Sequence, residues 1–444
     1  MRARTALVTL VVSLLLAVGG CAGAQPGDAP SASGAEDVTL WLISGSTPQR
    51  MRDYLAQQYA KANGGVLTIV EKAQADMLAE LATALPDRAA TPDVAEIGAT
   101  QAPALAGSFA DVSGLYQSVG GPKLYQPFVE AGKADGENRT LPYYFSSRYV
   151  FYRKDIWGAA DLAVPATLDE FNQAVRAIAE LNPKGIADFS GVYLGGQDWR
   201  NAIAWVFANG GELARIENGN WVSTLSDPET IEGLTQWQQL QSSASHAPTT
   251  AGDDAPYRYL NDTDSFIDAS GDTVKTALSA AAVIAPGSVH RSIGTLVKDD
   301  YGRNVRAWDN LIFGVFPLPG VSGGVAPVLV GGSNIGVAAQ SSRQAGARQL
   351  LGIIFSTEYQ TMLAQNGLGP ANSDFFPMLG SDEFAQAMLE SAANSKLPPA
   401  APGWAAIEQS GALEELFQKI AEGGDVVALA EEYDAALTPL LNLV

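Results

Sequence analysis

The chain has 444 residues, 47% of them hydrophobic, which is more than one compact unit usually holds, so we expect two lobes. Its formal net charge of −21 disfavours nucleic acids and anionic lipid surfaces as partners. Two histidines, His246 and His290, and one cysteine offer no ligand set for zinc, haem or an iron–sulfur cluster. We therefore expect no cofactor, no bound metal and no nucleic-acid partner.

The N-terminal segment has the pattern of a secretory signal. Arg2 and Arg4 precede an uncharged, mainly apolar run over residues 5–20, and small residues close that run at Cys21. The run is shorter than the ~20 apolar residues that span a bilayer comfortably. We predict a signal peptide over residues 1–20.

Cys21 is the only cysteine, and it follows Val18-Gly19-Gly20. This short sequence resembles the lipobox of bacterial lipoproteins, which implies cleavage before the cysteine and lipidation of its thiol. The small, polar residues after it are typical of a flexible tether. We predict a lipidated tether over 21–36 that holds the protein on the outer face of the cell membrane. The alternatives for a lone cysteine are a free reactive thiol or an intermolecular disulfide.

Strand and helix patterns alternate after the tether. Strands are predicted over 37–45, 66–71 and 91–98, and helices over 48–63 and 76–85. This alternation predicts an α/β fold with a parallel sheet, in which ligands bind at the carboxyl ends of the strands. We expect the loops 44–47, 74–76 and 100–101 to converge on one edge of that sheet.

The middle of the chain begins with an apolar and aromatic run over 141–157, which is predicted to cross from one lobe to the other. A helix over 167–181 is predicted to start at a capping box formed by Thr167 and Glu170. The other predictions here are a helix over 199–209 and an irregular acidic loop over 251–272.

Helices dominate the C-terminal third. They are predicted over 343–356, 357–367, 406–421 and 426–441. Hinge crossings are expected near 145–150, near 312–316 and after 355. The first lobe is then predicted to comprise 37–148 plus 313–357, and the second 149–312 plus 358–444.

Several strings, taken in order, carry a resemblance to a known family. They are "TPDVAEIGATQ", "LPYYFSSRYVFYRKDIW" with "PATLDEF", "WVFANGG", "FPLPG" followed by "VGGSNIGVA", and "APGWAAIE". From about residue 37 to the end, the chain resembles the extracellular sugar-binding lipoproteins of bacterial ABC importers. These are the maltose-binding-protein-like, family 1 solute-binding proteins, and the pattern is nearest to actinobacterial binders of chitobiose and other oligosaccharides.

The resemblance implies a two-lobed periplasmic-binding-protein fold of type II, with hinge crossings between the lobes. It implies a non-catalytic, monomeric protein that captures a di- or oligosaccharide between its lobes and delivers it to the transmembrane subunits of an ABC permease. Such a site needs fixed polar groups for the sugar hydroxyls and aromatic rings for the apolar sugar faces.

The resemblance implies one part of our candidate site, which comprises Ser44, Ser46, Thr100, Gln101, Asp198, Trp199, Gly332, Ser333 and Asn334. We add Gln74 from a predicted loop at the sheet edge, Ser288 from the segment aligned with the family's stacking tryptophan, and Tyr144 and Trp404 as aromatic candidates. For Trp199 the alternative is simple packing within a lobe. The chain departs from the family at Ala99, where close relatives often have asparagine, and at Ser288 and His290, where maltose-binding protein carries a stacking tryptophan.

Two other functions stay open at this point. A secreted glycoside hydrolase needs two carboxylates ~5 to 9.5 Å apart, and the 48 acidic residues leave such a pair possible. A peptide or amino-acid binder needs charges that fix an ammonium and a carboxylate group. Near the proposed cleft the sequence offers Arg148 and Arg291 for that role.

Overall fold

A computed structural model of the protein describes residues 35–253, 255–267 and 270–443. The predicted signal peptide, Cys21 and nearly all of the predicted tether lie outside the described residues. The described part forms one compact unit from Ala35 onward. None of its helices is both long and apolar enough to span a membrane.

The strands, in chain order, are β1 Val38–Ile43, β2 Leu67–Lys72, β3 Val94–Gly98, β4 Lys133–Ala134, β5 Glu137–Asn138, β6 Thr140–Ser146, β7 Arg148–Arg153, β8 Ala214–Glu217, β9 Asn220–Ser223, β10 Thr263–Ile267, β11 Thr273–Ala277, β12 Ala282–Pro286, β13 Thr295–Lys298, β14 Asn304–Ala307, β15 Phe313–Phe316, β16 Gly331–Val337 and β17 Gly369–Pro370.

The α-helices are α1 Gln49–Asn63, α2 Gln74–Ala84, α3 Ala102–Leu105, α4 Ser113–Ser118, α5 Gln126–Ala131, α6 Lys154–Ala159, α7 Leu168–Leu181, α8 Trp199–Ala208, α9 Pro228–Ala244, α10 Gln344–Ile354, α11 Thr357–Gln365, α12 Glu383–Ala393, α13 Trp404–Ser410, α14 Ala412–Ala421 and α15 Val426–Leu441. Short 3₁₀ helices cover Ala106–Ser108, Gly121–Lys123, Pro256–Leu260, Gly287–Ser292 and Ser373–Leu379.

The first lobe is built on a six-stranded sheet in the order β17-β6-β16-β3-β1-β2. The predicted parallel pairing is present for β1 with β2 and with β3, whereas β16 runs antiparallel to both β3 and β6. Helix α1 covers this sheet because Met51, Leu55 and Tyr59, spaced four apart, are fully buried on one face. The helix ends at Gly64, whose φ of 82° suits a left-handed cap.

The second lobe holds a three-stranded antiparallel sheet in the order β12-β7-β15. Its core includes the fully buried rings of Trp157, Trp205 and Trp237. The predicted capping box is present at the start of α7: Glu170 N–H donates to Thr167 Oγ1 at 3.2 Å, and the Glu170 carboxylate accepts from Thr167 N–H at 3.3 Å.

Two of the three crossings lie later in the chain than predicted. Strands β6 and β7 belong to different sheets, so the chain changes sheet at Ser147. Strand β15 pairs with β7 in the second lobe, so the second crossing comes after β15 and not within it. Helix α11 packs in the first-lobe core and β17 pairs with β6, so the residues from 358 to 370 stay with the first lobe. Apolar runs look alike whichever core receives them, which is why the pattern misplaced these boundaries.

Two local predictions are also corrected. The acidic stretch 251–272 was expected to be irregular, but it contains a 3₁₀ helix and β10, which pairs with β11 in a hairpin. That hairpin is largely exposed, and even Ile267 is 64% accessible. Because the hairpin buries little, many of its side chains are polar, and the apolar alternation that predicts a strand is weak. The predicted helix over 406–421 is broken at Gly411, which has a left-handed φ of 71° and separates α13 from α14.

Candidate functional site

The ends of four first-lobe strands meet at one edge of the six-stranded sheet. Strands β1, β3 and β6 finish there, and β16 begins there. Ser333 lies opposite Gly98 on one side and Tyr144 on the other. This register, with the parallel pairing of β1 and β3, brings the loop after β1, the turn after β3, the end of β6 and the start of β16 to one edge. The parallel α/β pattern predicted this convergence for the loops after β1 and β3, together with the loop 74–76, but not for β6 and β16.

A buried carboxylate organises this edge, and sequence reasoning missed it. Glu96 of β3 is fully buried and accepts hydrogen bonds from Ile43 N–H at 2.9 Å, Ser46 Oγ at 2.8 Å and Ser333 Oγ at 2.6 Å. The Tyr144 side chain lies beside the same carboxyl group and lowers its pKa. Burial raises the pKa of Glu96 to about 7, against the lowering effect of these donors. The available signal was an acidic residue inside the apolar strand pattern "DVAEIG".

The two lobes touch at the turn after β3. Thr100 Oγ1 of the first lobe donates to Glu408 Oε2 of α13 in the second lobe, at 3.2 Å. Beside this contact, Ala405 packs into an apolar cluster with Ile43 and Ile97 of the first lobe. Burial raises the pKa of the Glu408 carboxyl above its usual range, although the adjacent Trp404 side chain lowers it. Glu408 is a second site residue that sequence reasoning missed.

The two candidate tryptophans lie together in the second lobe. Trp404 is 3% exposed, and its ring meets that of Trp199 edge-on with centroids 6.2 Å apart. Trp404 Nε1 makes no hydrogen bond of good geometry to any residue that the structure describes. Trp199 is fully buried, donates from Nε1 to Glu414 Oε1 at 2.9 Å and carries the Arg200 guanidinium 4.6 Å from its ring centre. Trp404 is the first residue of α13, the helix whose Ala405 and Glu408 contact the first lobe.

Asp198 is the N-cap residue of helix α8 and is linked to Arg148 through the side chain of Asn201. Its carboxylate caps the helix by accepting Asn201 N–H at 3.1 Å and also accepts Asn201 Nδ2 at 2.6 Å. Arg148 donates to Asn201 Oδ1 at 3.0 Å and lies 3.5 Å from Asp253. Burial and the Asp253 charge raise the pKa of Asp198 to about 6, whereas Arg148 lowers it.

The remaining candidates have varied surroundings. Ser44, Gln74 and Ser288 are exposed, and Gln101 is half-buried at the start of α3. No described contact joins Gln74 or Ser288 to the edge around Glu96.

Two neighbouring candidates in β16 support the first lobe from within. Asn334 donates from Nδ2 to Phe128 O at 2.8 Å and to Thr140 Oγ1 at 2.9 Å, so its amide group points into the lobe. At Gly332, with φ of 134°, an added Cβ would lie 2.3 Å from Tyr144 O. Glycine is therefore required there for the close approach of β16 and β6.

Two cavities lie away from this edge. One, of about 380 Å³, is lined by Phe207, Trp221 and Lys396 among others, and one of about 130 Å³ includes Tyr149 and His290. Neither is lined by any of the candidate residues.

The chemistry at the meeting point of the lobes is polar and mostly uncharged. Hydroxyl groups line the first-lobe edge, and the Glu408 carboxyl group of α13 reaches Thr100 from the second lobe. Glu96, Asp198 and Glu408 each accept hydrogen bonds from the protein itself. The arrangement suits hydrogen bonding to a neutral polar molecule.

Comparisons with known proteins agree with this architecture. A family model described as bacterial extracellular solute-binding protein matches residues 54–393. The diacetylchitobiose-binding protein DasA of Streptomyces coelicolor is 28% identical over 412 residues, which cover 90% of this chain and 89% of that protein.

Solved structures share the fold at lower identity. The sugar-binding protein MalE of Xanthomonas citri superposes with a TM-score of 0.74 at 17% identity, over 91% of this chain and 97% of that one. An ABC substrate-binding protein from Listeria monocytogenes in complex with cycloalternan gives 0.69 at 17% identity, over 92% and 99%.

Two lobes joined by crossing segments, with polar groups where they meet, define the class of two-lobed binding proteins. The chain belongs to the bacterial extracellular solute-binding protein family, because the family model matches well over half of its length.

Proposed function

We propose that this protein is the substrate-binding component of an ABC importer that captures a di- or oligosaccharide between its lobes and delivers it to a membrane permease. The observation that carries the proposal is the convergence of Ser46, Tyr144 and Ser333 on one sheet edge, with Trp404 beside the contact between the lobes. The 28% identical relative is named for binding diacetylchitobiose, which is the same class of ligand.

The physical chemistry of sugars fits these groups. A sugar offers hydroxyls around its ring and apolar C–H faces above and below it, so hydroxyl partners and indole rings together match both surfaces. A zwitterionic peptide needs unpaired charges instead. Arg148 is shared between Asn201 and Asp253, which makes it a poor anchor for a free carboxylate.

The proposal includes binding without turnover. A glycoside hydrolase needs one carboxyl group free to protonate the leaving oxygen and another free to attack or activate water. Glu96 and Asp198 are buried and held by several protein donors, so neither is free for such a role.

A thermal-shift panel tests the ligand class. Diacetylchitobiose, maltose, longer oligosaccharides and short peptides are added separately to the purified protein. A ligand at 100 times its dissociation constant should stabilise the fold by ~2.7 kcal/mol. We expect a shift with sugars and none with peptides; the reverse pattern would overturn the proposal. Overnight incubation followed by chromatography checks turnover, and release of monosaccharide would replace the binding role by a hydrolase.

We also propose that a lipid on Cys21 anchors the protein to the outer face of the membrane, as a monomer. Cys21→Ser should release it into the medium, because lipid attachment needs the thiol. Mass spectrometry of the wild-type N-terminal peptide should show an acyl group. A wild-type protein found only in the medium, without that mass, would refute the anchor.

A further inference from the structure

Glu96 connects three separate segments of the first lobe. One of its oxygens accepts Ile43 N–H and Ser46 Oγ, and the other accepts Ser333 Oγ. The Tyr144 side chain of β6 lies beside the same group and lowers its pKa. The donors therefore come from the end of β1, from the loop after it and from β16, all at the edge where the lobes meet.

A carboxylate fixes the direction of these hydrogen bonds. It can only accept, so each hydroxyl bonded to it must use its single proton as the donor. The oxygens of Ser46 and Ser333 then keep lone pairs and have no proton left to offer. Ser46 is half-buried, so part of its side chain is open at the edge, whereas Ser333 is buried.

We propose that Glu96 is a positioning residue that turns the protons of Ser46 and Ser333 inward, so that this edge presents hydrogen-bond acceptors to the O–H and N–H donors of the ligand. The inference rests on the proposed sugar-binding function and deepens it. Its consequence is selectivity: a ligand atom that meets this edge must carry a proton, and an ether oxygen or fluorine in its place loses the bond.

The first test compares Glu96→Gln in β3 with a control variant at a buried aspartate that directly precedes the same strand. The amide of the variant donates from Nε2, which forces at least one hydroxyl to reverse. The control is Asp93→Asn, because Asp93 is also buried and accepts Ser341 Oγ at 2.6 Å and Thr39 N–H at 2.8 Å, but just before the start of β3, away from the ligand edge.

Calorimetry with the panel sugar that most stabilises the wild type, beginning with diacetylchitobiose, gives the readout. We expect Glu96→Gln to bind roughly tenfold more weakly. Asp93→Asn should stay within about twofold of the wild type, although both variants lower the melting temperature. A monofluorinated analogue that loses affinity for the wild type should lose less for Glu96→Gln, because a reversed hydroxyl can donate to fluorine.

A pH profile gives a second readout that a merely structural role would not move. Glu96 gains a proton as the pH falls past about 7 and then needs an acceptor of its own, so wild-type affinity should drop from about pH 8 to about pH 6. Tyr143, Tyr144 and Tyr359 face Glu96, and burial raises the pKa of each, so they stay protonated. Asp198 also titrates in this range, but it is present in both the wild type and Glu96→Gln, so it affects both pH profiles in the same way.

The outcomes separate this inference from the function on which it rests. A wild type that binds no sugar of the panel refutes both. Sugar binding by the wild type with equal losses in Glu96→Gln and Asp93→Asn refutes the inference alone. If Glu96→Gln does not fold, the pH profiles of the wild type and of Asp93→Asn still test the inference. An affinity that stays constant between about pH 6 and pH 8 in both proteins would overturn the inference.

Discussion

Glu96 of the first lobe and Asp198 of the second lobe are both buried carboxyl groups, yet they are held in different ways. The donors to Glu96 lie 50, 53 and 237 residues away in the chain and are neutral. Asp198 is held by Asn201 only three residues later and also feels the charges of Asp253 and Arg148. The comparison teaches that a local cap can be read in a sequence, whereas a group assembled from distant segments cannot.

The largest expected effect comes from the second-lobe side of this comparison. Trp199→Ala removes a fully buried ring from the core beneath Asp198, so we expect the free energy of unfolding without ligand to fall by ~3–5 kcal/mol. Denaturant titration measures this loss. An unchanged stability joined to a large loss of sugar affinity would instead place Trp199 in direct contact with the ligand.

The pH dependence of stability comes next and concerns the first-lobe side. Between about pH 4.5 and pH 7 the folded protein keeps a proton on Glu96 that the unfolded chain has lost. Stability should therefore fall as the pH rises through this window, and the loss that is due to Glu96 should reach up to ~3 kcal/mol. Asp198, raised to about 6, acts in the same direction between about pH 4 and pH 6.

Glu96→Gln isolates the Glu96 contribution, because it removes the titration while other groups, including His290, stay the same. The difference in unfolding free energy between the wild type and this variant should change with pH across the same window. A difference that is constant with pH would show that Glu96 is charged throughout and that its burial has little effect on its pKa.

A smaller effect is expected when the local cap is weakened. Asp198→Ala removes the N-cap of α8 and the bond to Asn201 Nδ2, which should lower stability by ~1–2 kcal/mol. Thr167→Ala is the matched control, since it removes a more exposed cap from α7 in the same lobe. Thermal unfolding compares the two. A larger loss for Thr167→Ala would mean that burial of Asp198 costs as much as its bonds contribute.

The smallest effect concerns the link between the two sides. Thr100→Val removes one hydrogen bond to Glu408 and should weaken sugar binding by ~0.5–1.5 kcal/mol with little change in stability. Thr91→Val is the control, because the hydroxyl of Thr91 bonds only locally, to Pro92 O. Calorimetry measures both variants. Equal affinities for the two would show that the Thr100 contact does not contribute to the ligand-bound form.

Sequence alone determined the features that depend on neighbouring residues. The apolar period and Gly64 defined α1, the Thr167 and Glu170 pair defined the start of α7, and the alternation of strands and helices gave the parallel pairing of β1 to β3. The convergence of the loops after β1 and β3 followed from that pairing, because parallel strands end at the same edge of a sheet.

Tertiary structure decided what depends on contacts between distant segments. The positions of the later crossings, the burial of Trp199 and the roles of Glu96 and Glu408 belong to this group. An acidic residue in a strand pattern reveals neither its partners nor its protonation, because burial and neighbouring groups on β1, β6 and β16 determine its pKa only once the sheet has formed. Periodicity likewise shows that a residue is buried but not which lobe buries it, since both cores accept the same apolar side chains.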